Sequence, residues 1–129
     1  MISIKTMSIG EPDISPMINT FNFRDKIDEI IFYNAINIIK DKIANNLKIN
    51  IYETLYFFCE YVFKGIRLGL SIKEIQDKSH EILSPENVMI GVPQMMQKVI
   101  FEIYFGDKHK KQVVLEEAIC ISEYILVEK

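Results

Sequence analysis

Residues 51–69, IYETLYFFCEYVFKGIRLG, decide the fold. Placed at about 100° per residue, Glu53, Glu60, Lys64 and Arg67 fall on one strip roughly 60° wide, while Ile51, Leu55, Phe58, Cys59, Val62 and Ile66 cover the far side and Tyr52, Tyr56 and Phe63 fill the flanks. Such a helix is too apolar for an open surface. A membrane span needs ~20 residues with almost no charge, and four ionisable side chains on one strip exclude that reading. The stretch predicts the central helix of a small domain, enclosed on most of its circumference, with its strip turned to water or a polar partner.

The surrounding chain is one domain's worth: 129 residues, 49% hydrophobic, with a mean hydropathy of +0.10. That apolar content predicts either a rich core or apolar surface kept for neighbours in an assembly. A formal net charge of -3 gives no general attraction to phosphate backbones, which argues against nucleic acid as a partner. Cys59 and Cys120 lie far apart, without the spacing of a metal or redox motif, which fits a reduced, cytoplasmic protein. Cys59 reads as a small apolar core residue on the central helix. Met1 to Phe23 holds no unbroken apolar run of ~7 to 15 residues, and Glu11 and Asp13 interrupt the place where one would stand, so no export signal and no membrane partner are expected.

Working outward, Ile2 and Ile4 alternate with Ser3 and Lys5, and Gly10, Pro12 and Pro16 forbid a continuous helix. Residues 1–22 therefore read as a leader, a short strand and then a loop, the alternative being a disordered leader. Asn22 reads as the N-cap of a first helix reaching to about Leu47. Ile27, Ile30, Ile31, Ala35, Ile38 and Ile39 repeat at three and four, and Phe32, Ile36 and Ile43 add a second stripe. Gly69 can end the central helix, and Ser71 with Glu74 forms a capping box for a third helix carrying Ile72, Ile75, Ser79, Ile82 and Leu83. Ser84-Pro85-Glu86 opens a further short turn of helix, which Gly91 and Pro93 close, and Met89, Met95 and Met96 cluster there as core filler.

The period then changes from 3.6 to 2. Val99, Phe101, Ile103 and Phe105 alternate with Ile100, Glu102 and Tyr104, Gly106 to His109 makes a turn, and Gln112 to Leu115 returns as a partner strand. A hairpin of two strands is marginal in water, so its faces or edges need covering by helices, by the N-terminal strand or by another chain. Leu115 to Lys129 reads as a closing helix, although Ile119 to Val127 would also serve as a strand. The expected fold is α+β: an antiparallel bundle of three to four helices followed by a β-hairpin.

No set of residues in this order carries chemistry. His80 and His109 lack a second ligand at a three- or four-residue spacing and read as surface histidines, and the run Lys108-His109-Lys110-Lys111 reads as a solvated hairpin tip. There is no glycine-rich phosphate loop after a strand and no nucleophile elbow. The residues predict no catalytic group, no cofactor-binding residue and no metal ligand on this chain.

Four runs carry a resemblance. Leu47-Lys48-Ile49-Asn50 followed by Glu53, then Gly65 to Gly69, then Val88-Met89-Ile90-Gly91-Val92-Pro93-Gln94-Met95, then Val99 to Phe105, resemble in order and spacing the gamma subunit of bacterial-type urease. The likeness covers about Phe23 to Ala118, so 23–118 is the expected gamma-like domain, with 119–129 a C-terminal extension. It implies a non-catalytic structural subunit of a nickel-dependent urease, which splits urea to ammonia and carbamate. The nickel would lie in the alpha subunit, and the alpha, beta and gamma chains would form a trimer of heterotrimers. The contact surfaces it suggests are Glu53 and Arg67 on the polar strip, Val88, Met89, Gly91, Val92, Pro93 and Met95 in the loop, and Phe101 and Phe105 in the hairpin. For Glu53 and Arg67 the alternative is intramolecular capping or surface charge. The chain departs from the family at Gly106 to Lys110, at Leu115 to Ile119, at Lys64 and at Leu68. A second reading, a stand-alone or self-assembling interaction module of the same fold without urease activity, therefore stands beside the first.

Overall fold

The computed structural model describes residues 2–106 and 109–119. Within them the fold is α+β, with a four-stranded antiparallel sheet in the order β2-β1-β3-β4. β1 spans Ile2–Ile9 and β2 Met17–Phe23; β3 spans Lys98–Phe105 and β4 His109–Glu116. The hairpin expected around Gly106 is present, with Phe105 paired to His109 and Val99 to Leu115. It does not stand alone: β1 runs antiparallel along the whole of β3, from Ile2 opposite Phe105 to Ile9 opposite Lys98. β1 is therefore a central strand.

The first residues depart from the sequence pattern in two places. The stretch after Gly10, read as loop, returns as β2, paired with β1 from Ser8–Met17 to Ile2–Phe23. Asn22 lies inside that strand and caps nothing; Asp25 is the N-cap of the first helix, accepting the N–H groups of Ile27 and Asp28 at 3.1 Å each. Three asparagine and threonine residues in β2 gave it little strand character, and what holds it is the apolar side of its alternation, Phe21 and Phe23.

Helix α1 spans Lys26–Ala44, α2 Ile51–Arg67, α3 Ile72–Lys78 and α4 Val92–Met95, with single 3-10 turns at Ser79–Glu81 and Pro85–Asn87. α1 stops earlier than Leu47: Asn46 adopts φ 59°, and Asn46 and Leu47 donate back to Ile43 and Lys42, the left-handed closure that asparagine tolerates. α2 begins at a capping box in which Asn50 and Glu53 exchange hydrogen bonds of 2.8 and 3.0 Å, and α3 begins at the expected Ser71–Glu74 box. The final helix expected from Leu115 does not start there, because Leu115 and Glu116 complete β4 and Glu117 to Ile119 follow as bends; residues 120–129 of that segment lie outside the described residues.

The helices do not form a bundle followed by a hairpin. α1 lies against β2, α2 against β1 and α3 against β4, so the helices share one face of a single sheet. On that face Ile4, Val99, Phe101, Ile103, Val113 and Leu115 are buried, and they meet Leu55, Phe58, Cys59, Val62 and Phe63 of α2. β2 is tied in by aromatic contacts: Phe23 stacks on Phe63 at 5.3 Å and meets Phe32 edge-on at 5.1 Å, and Phe21 meets Tyr56 edge-on at 4.8 Å. Each such pair contributes about 1 kcal/mol beyond simple burial.

The N-terminal hairpin is also latched to the chain around α4. Ser8 Oγ donates to the Met95 carbonyl at 2.7 Å, and Glu11 N donates to the Gln94 carbonyl at 3.0 Å. Gly10 makes this approach possible, since a Cβ there would lie 2.4 Å from the Gln94 oxygen and 2.8 Å from Met95 Cα. Gly10→Ala is expected to cost about 2 kcal/mol in urea unfolding. Gly69→Ala, at φ +81° with open space around it, should cost only about 1 kcal/mol. Equal losses in the two variants would refute the close-approach explanation.

Candidate subunit interface

The polar strip on α2 is occupied within the chain. Lys42 Nζ meets Glu53 Oε2 at 2.5 Å, Lys40 Nζ meets Glu60 Oε1 at 3.3 Å, and Arg67 meets Glu29 at 3.6 Å while its guanidinium lies 4.9 Å from the Phe63 ring centroid. These pairs run in opposite order along the two helices, so the strip clasps α1 to α2 antiparallel. Of the alternatives for Glu53 and Arg67, intramolecular capping and pairing are what the geometry displays. Lys64 and Leu68 remain at the surface.

Burial opposes ionisation of Glu53, but the Lys42 ammonium and the Asn50 N–H outweigh it and hold the carboxyl below the usual glutamate value. Asp28 is held low by Arg24, Glu74 by the Ser71 backbone and hydroxyl, and Glu102 by Lys110. None of these groups sits in a cleft with a second acid or base that could share a proton. Burial pushes the Cys59 thiol up, which keeps it protonated and unreactive. His80 Nδ1 lies 3.0 Å from the Glu117 carbonyl oxygen, and His109 opens β4 at the surface. Among the described residues no three His, Cys, Asp or Glu side chains come together as a metal site.

The loop from Val88 to Met96 is tied down by hydrogen bonds at its start. Ile49 and Val88 form a parallel bridge, with Ile49 N donating to Asn87 O at 3.0 Å and Met89 N to Ile49 O at 2.9 Å, and Lys48 Nζ donates to the Glu86 carbonyl at 3.0 Å. Gly91, at φ 95°, precedes α4; it opens that helical turn, where the sequence reading had it close the previous one. Val88, Val92, Pro93 and Met96 are buried below the loop. Met95 is partly buried against the core. Phe101 is fully buried in β3, and Phe105 packs partly buried against the same core. Val88, Val92, Pro93 and Phe101 are thus packed into this chain's own interior.

What the loop presents outward is Met89, 46% exposed, and Ile90, 101% exposed. Ile90 falls inside the Val88 to Met96 loop that the resemblance marks as a contact surface, and it stands just before the left-handed Gly91. A fully exposed isoleucine on a backbone fixed by hydrogen bonds is pre-organised for contact, since burying it stabilises a complex by roughly 1.5–3 kcal/mol with little ordering cost.

The described chain is similar to known proteins over most of this architecture. The family model described as urease, gamma subunit, matches residues 22–119. Urease subunit gamma of Halalkalibacterium halodurans is 30% identical over 89 residues, covering 69% of this chain and 89% of that protein. The proteins of the same description from two strains of Prochlorococcus marinus, AS9601 and MIT 9301, are each 30% identical over 83 residues, 64% of this chain and 83% of theirs. β1 and nearly all of β2 lie outside the matched residues.

The lowered Glu53 pKa fixes the sign of an acid effect. Its stabilisation is complete above the ordinary glutamate value of 4.5 and is lost as pH falls through the lower folded value. The melting temperature should therefore drop between about pH 5 and pH 3. Glu53→Gln should lower stability at pH 7 by about 1 kcal/mol and make that acid drop shallower. An unchanged slope in the variant would show that the clasp does not contribute.

Proposed function

Because the chain belongs to the urease gamma-subunit family, we propose that it is a non-catalytic structural subunit of a nickel-dependent urease, the hydrolase that converts urea to ammonia and carbamate. In this reading it assembles with alpha and beta subunits as a trimer of heterotrimers in the cytoplasm. No helix among the described residues is long and apolar enough to cross a membrane.

The observation that carries the reading is the loop of Met89 and Ile90, within the matched segment, which holds an apolar tip outward on a backbone fixed at both ends. It suits insertion into an apolar pocket of a larger subunit, as an anchor residue does at an interface centre. Gly91 sets the turn, Val88, Val92 and Pro93 are buried beneath it with Met95 partly so, and Phe101 and Phe105 belong to β3. Glu53 and Arg67 act at one remove, by clasping the helix hairpin that carries Lys48 and Ile49 to the loop.

Nickel fits no site on the described residues: Cys59 is buried and protonated, His80 and His109 stand apart, and the lowered carboxylates are held by their own lysine, arginine or backbone partners. The metal chemistry is assigned to the alpha subunit, and no step of it is routed through this chain.

The test is recovery of the native complex through a tag on this chain, followed by mass determination and nickel analysis. A nickel-containing chain of much greater mass should accompany it. Ile90→Asp should weaken that association by tenfold or more and leave the melting temperature of the isolated chain within about 2 °C of the parent. Urea hydrolysis by the purified chain alone, or undiminished association of Ile90→Asp, would overturn the assignment.

A further inference from the structure

α4 is a single helical turn, Val92–Met95, and the carbonyls that end a helix find no partner within it. Two of them, those of Gln94 and Met95, are answered from the N-terminal hairpin. Ser8 Oγ donates to the Met95 oxygen at 2.7 Å, and Glu11 N donates to the Gln94 oxygen at 3.0 Å. Ser8 is 1% exposed, so its hydroxyl depends on the Met95 carbonyl as much as the carbonyl depends on it. Gly10 stands between the two donors, where the backbone of Gln94 and Met95 leaves no room for a side chain. Ile14 N closes the hairpin turn onto Glu11 O at 2.9 Å, and Pro12 and Pro16 stiffen it.

The loop that carries Ile90 is therefore held from two directions. Its start is bridged to Ile49, ahead of α2, through Asn87 and Met89. Its end, one helical turn beyond Gly91, is held by β1 and the turn that follows β1. Between these points the loop closes on itself: Val92 N donates to Met89 O at 3.2 Å, Met95 N to Gly91 O at 3.2 Å and Met96 N to Pro93 O at 3.3 Å. A shift at Gln94 and Met95 is thus passed back to Gly91 and Met89, the residues that flank Ile90. The two attachments differ in origin. Ile49, Asn87 and Met89 lie within the segment 22–119 that matches the family, and Ser8, Gly10 and Glu11 lie outside it.

We propose that the N-terminal hairpin is a clamp on the anchor loop, with Ser8 and Gly10 as positioning residues whose hydrogen bond and close approach set how tightly this chain holds its larger partner. The inference rests on the subunit reading, in which Ile90 is the anchor. It goes beyond that reading by placing a determinant of assembly in residues that the family match does not reach. An anchor on a loop fixed only at its start has to be ordered on binding, and that ordering weakens the complex. The clamp orders the loop beforehand. Ser8 is buried and acts through Met95, and Gly10 acts by letting the hairpin approach Gln94.

The test uses the tagged full chain in its native complex and times the release of the heavier nickel-containing chain. Ser8→Ala and Gly10→Ala are compared with Ile90→Asp and with Val113→Ala, which loosens the core at a fully buried position of β4 away from the clamp. Ser8→Ala and Gly10→Ala should each speed release by about three- to tenfold, Ile90→Asp by more, and Val113→Ala not at all. In the isolated chain, hydrogen exchange at the Met95 and Met96 amides should rise at least tenfold relative to the α2 amides in both clamp variants, and keep its parent ratio in Val113→Ala. Ser8→Ala keeps the test sharp if Gly10→Ala folds poorly. Parent-like release and exchange in Ser8→Ala, with Ile90→Asp still weakened, would overturn the clamp and leave the subunit reading standing. Release from Val113→Ala as fast as from Ser8→Ala would also overturn it, by assigning the effect to general stability. Parent-like release from Ile90→Asp would overturn the subunit reading, and the clamp's part in assembly with it.

Discussion

Enclosing α2 is the constraint from which the rest of the architecture follows. Phe58, Cys59, Val62 and Phe63 are fully buried on successive turns, and no single neighbour can cover so wide an arc. The solution divides the circumference. The sheet takes the apolar side, α1 closes over the polar strip through Lys42, Lys40 and Glu29, and α3 comes close enough at Gly65 that a Cβ there would lie 2.9 Å from Ile75. Three of the strip's four charged residues, Glu53, Glu60 and Arg67, are paired with α1 by this enclosure. Surface ion pairs of this kind contribute little individually, so their effect is to fix the helix register more than to stabilise the fold.

The same enclosure explains why the loop at Val88 to Met96 can be both apolar and ordered. Ile49, immediately before the cap of α2, hydrogen-bonds to the backbone of Asn87 and Met89, so the loop is referenced to the most buried helix in the molecule. Val88, Val92 and Met96 then point into the core, and the left-handed turn at Gly91 leaves Ile90 outside. A contact residue held this way loses almost no freedom when a partner arrives.

Much of this was legible in the sequence wherever a local rule dominated. The span of α2, the Ser71–Glu74 box, the Gly106 hairpin and the burial of Cys59 each follow from a few adjacent residues. The misreadings came where a local rule was ambiguous. Isoleucines recur on more than half of the circumference of α1, so periodicity offered two stripes and could not say which one met the sheet; the choice was made by Phe32, Ile36 and Ile39 packing near Phe21, Phe23 and Tyr56. β2 was hidden because Asn19 interrupts the apolar row of Met17, Phe21 and Phe23, and because Pro12 and Pro16 suggested that the chain had left regular structure.

The N-terminal hairpin also changes what kind of sheet this is. β3 and β4 alone would leave β3 with an open edge along Val99 to Phe105, where uncharged residues outnumber the single Glu102 and aggregation is the ordinary outcome. Inserting β1 covers that edge with eight paired residues and passes the problem one strand outward to β2. There it meets a shorter strand, latched at its inner face by Phe21 and Phe23 and bordered by exposed isoleucines of α1. An open edge is a hazard when it is flat and indiscriminate, and it becomes a specific contact when neighbouring side chains restrict what can pair with it. The trough between α1 and β2 supplies such a restriction: a strand can add to β2 only if it brings side chains that fit against Ile31, Ile38 and Tyr52.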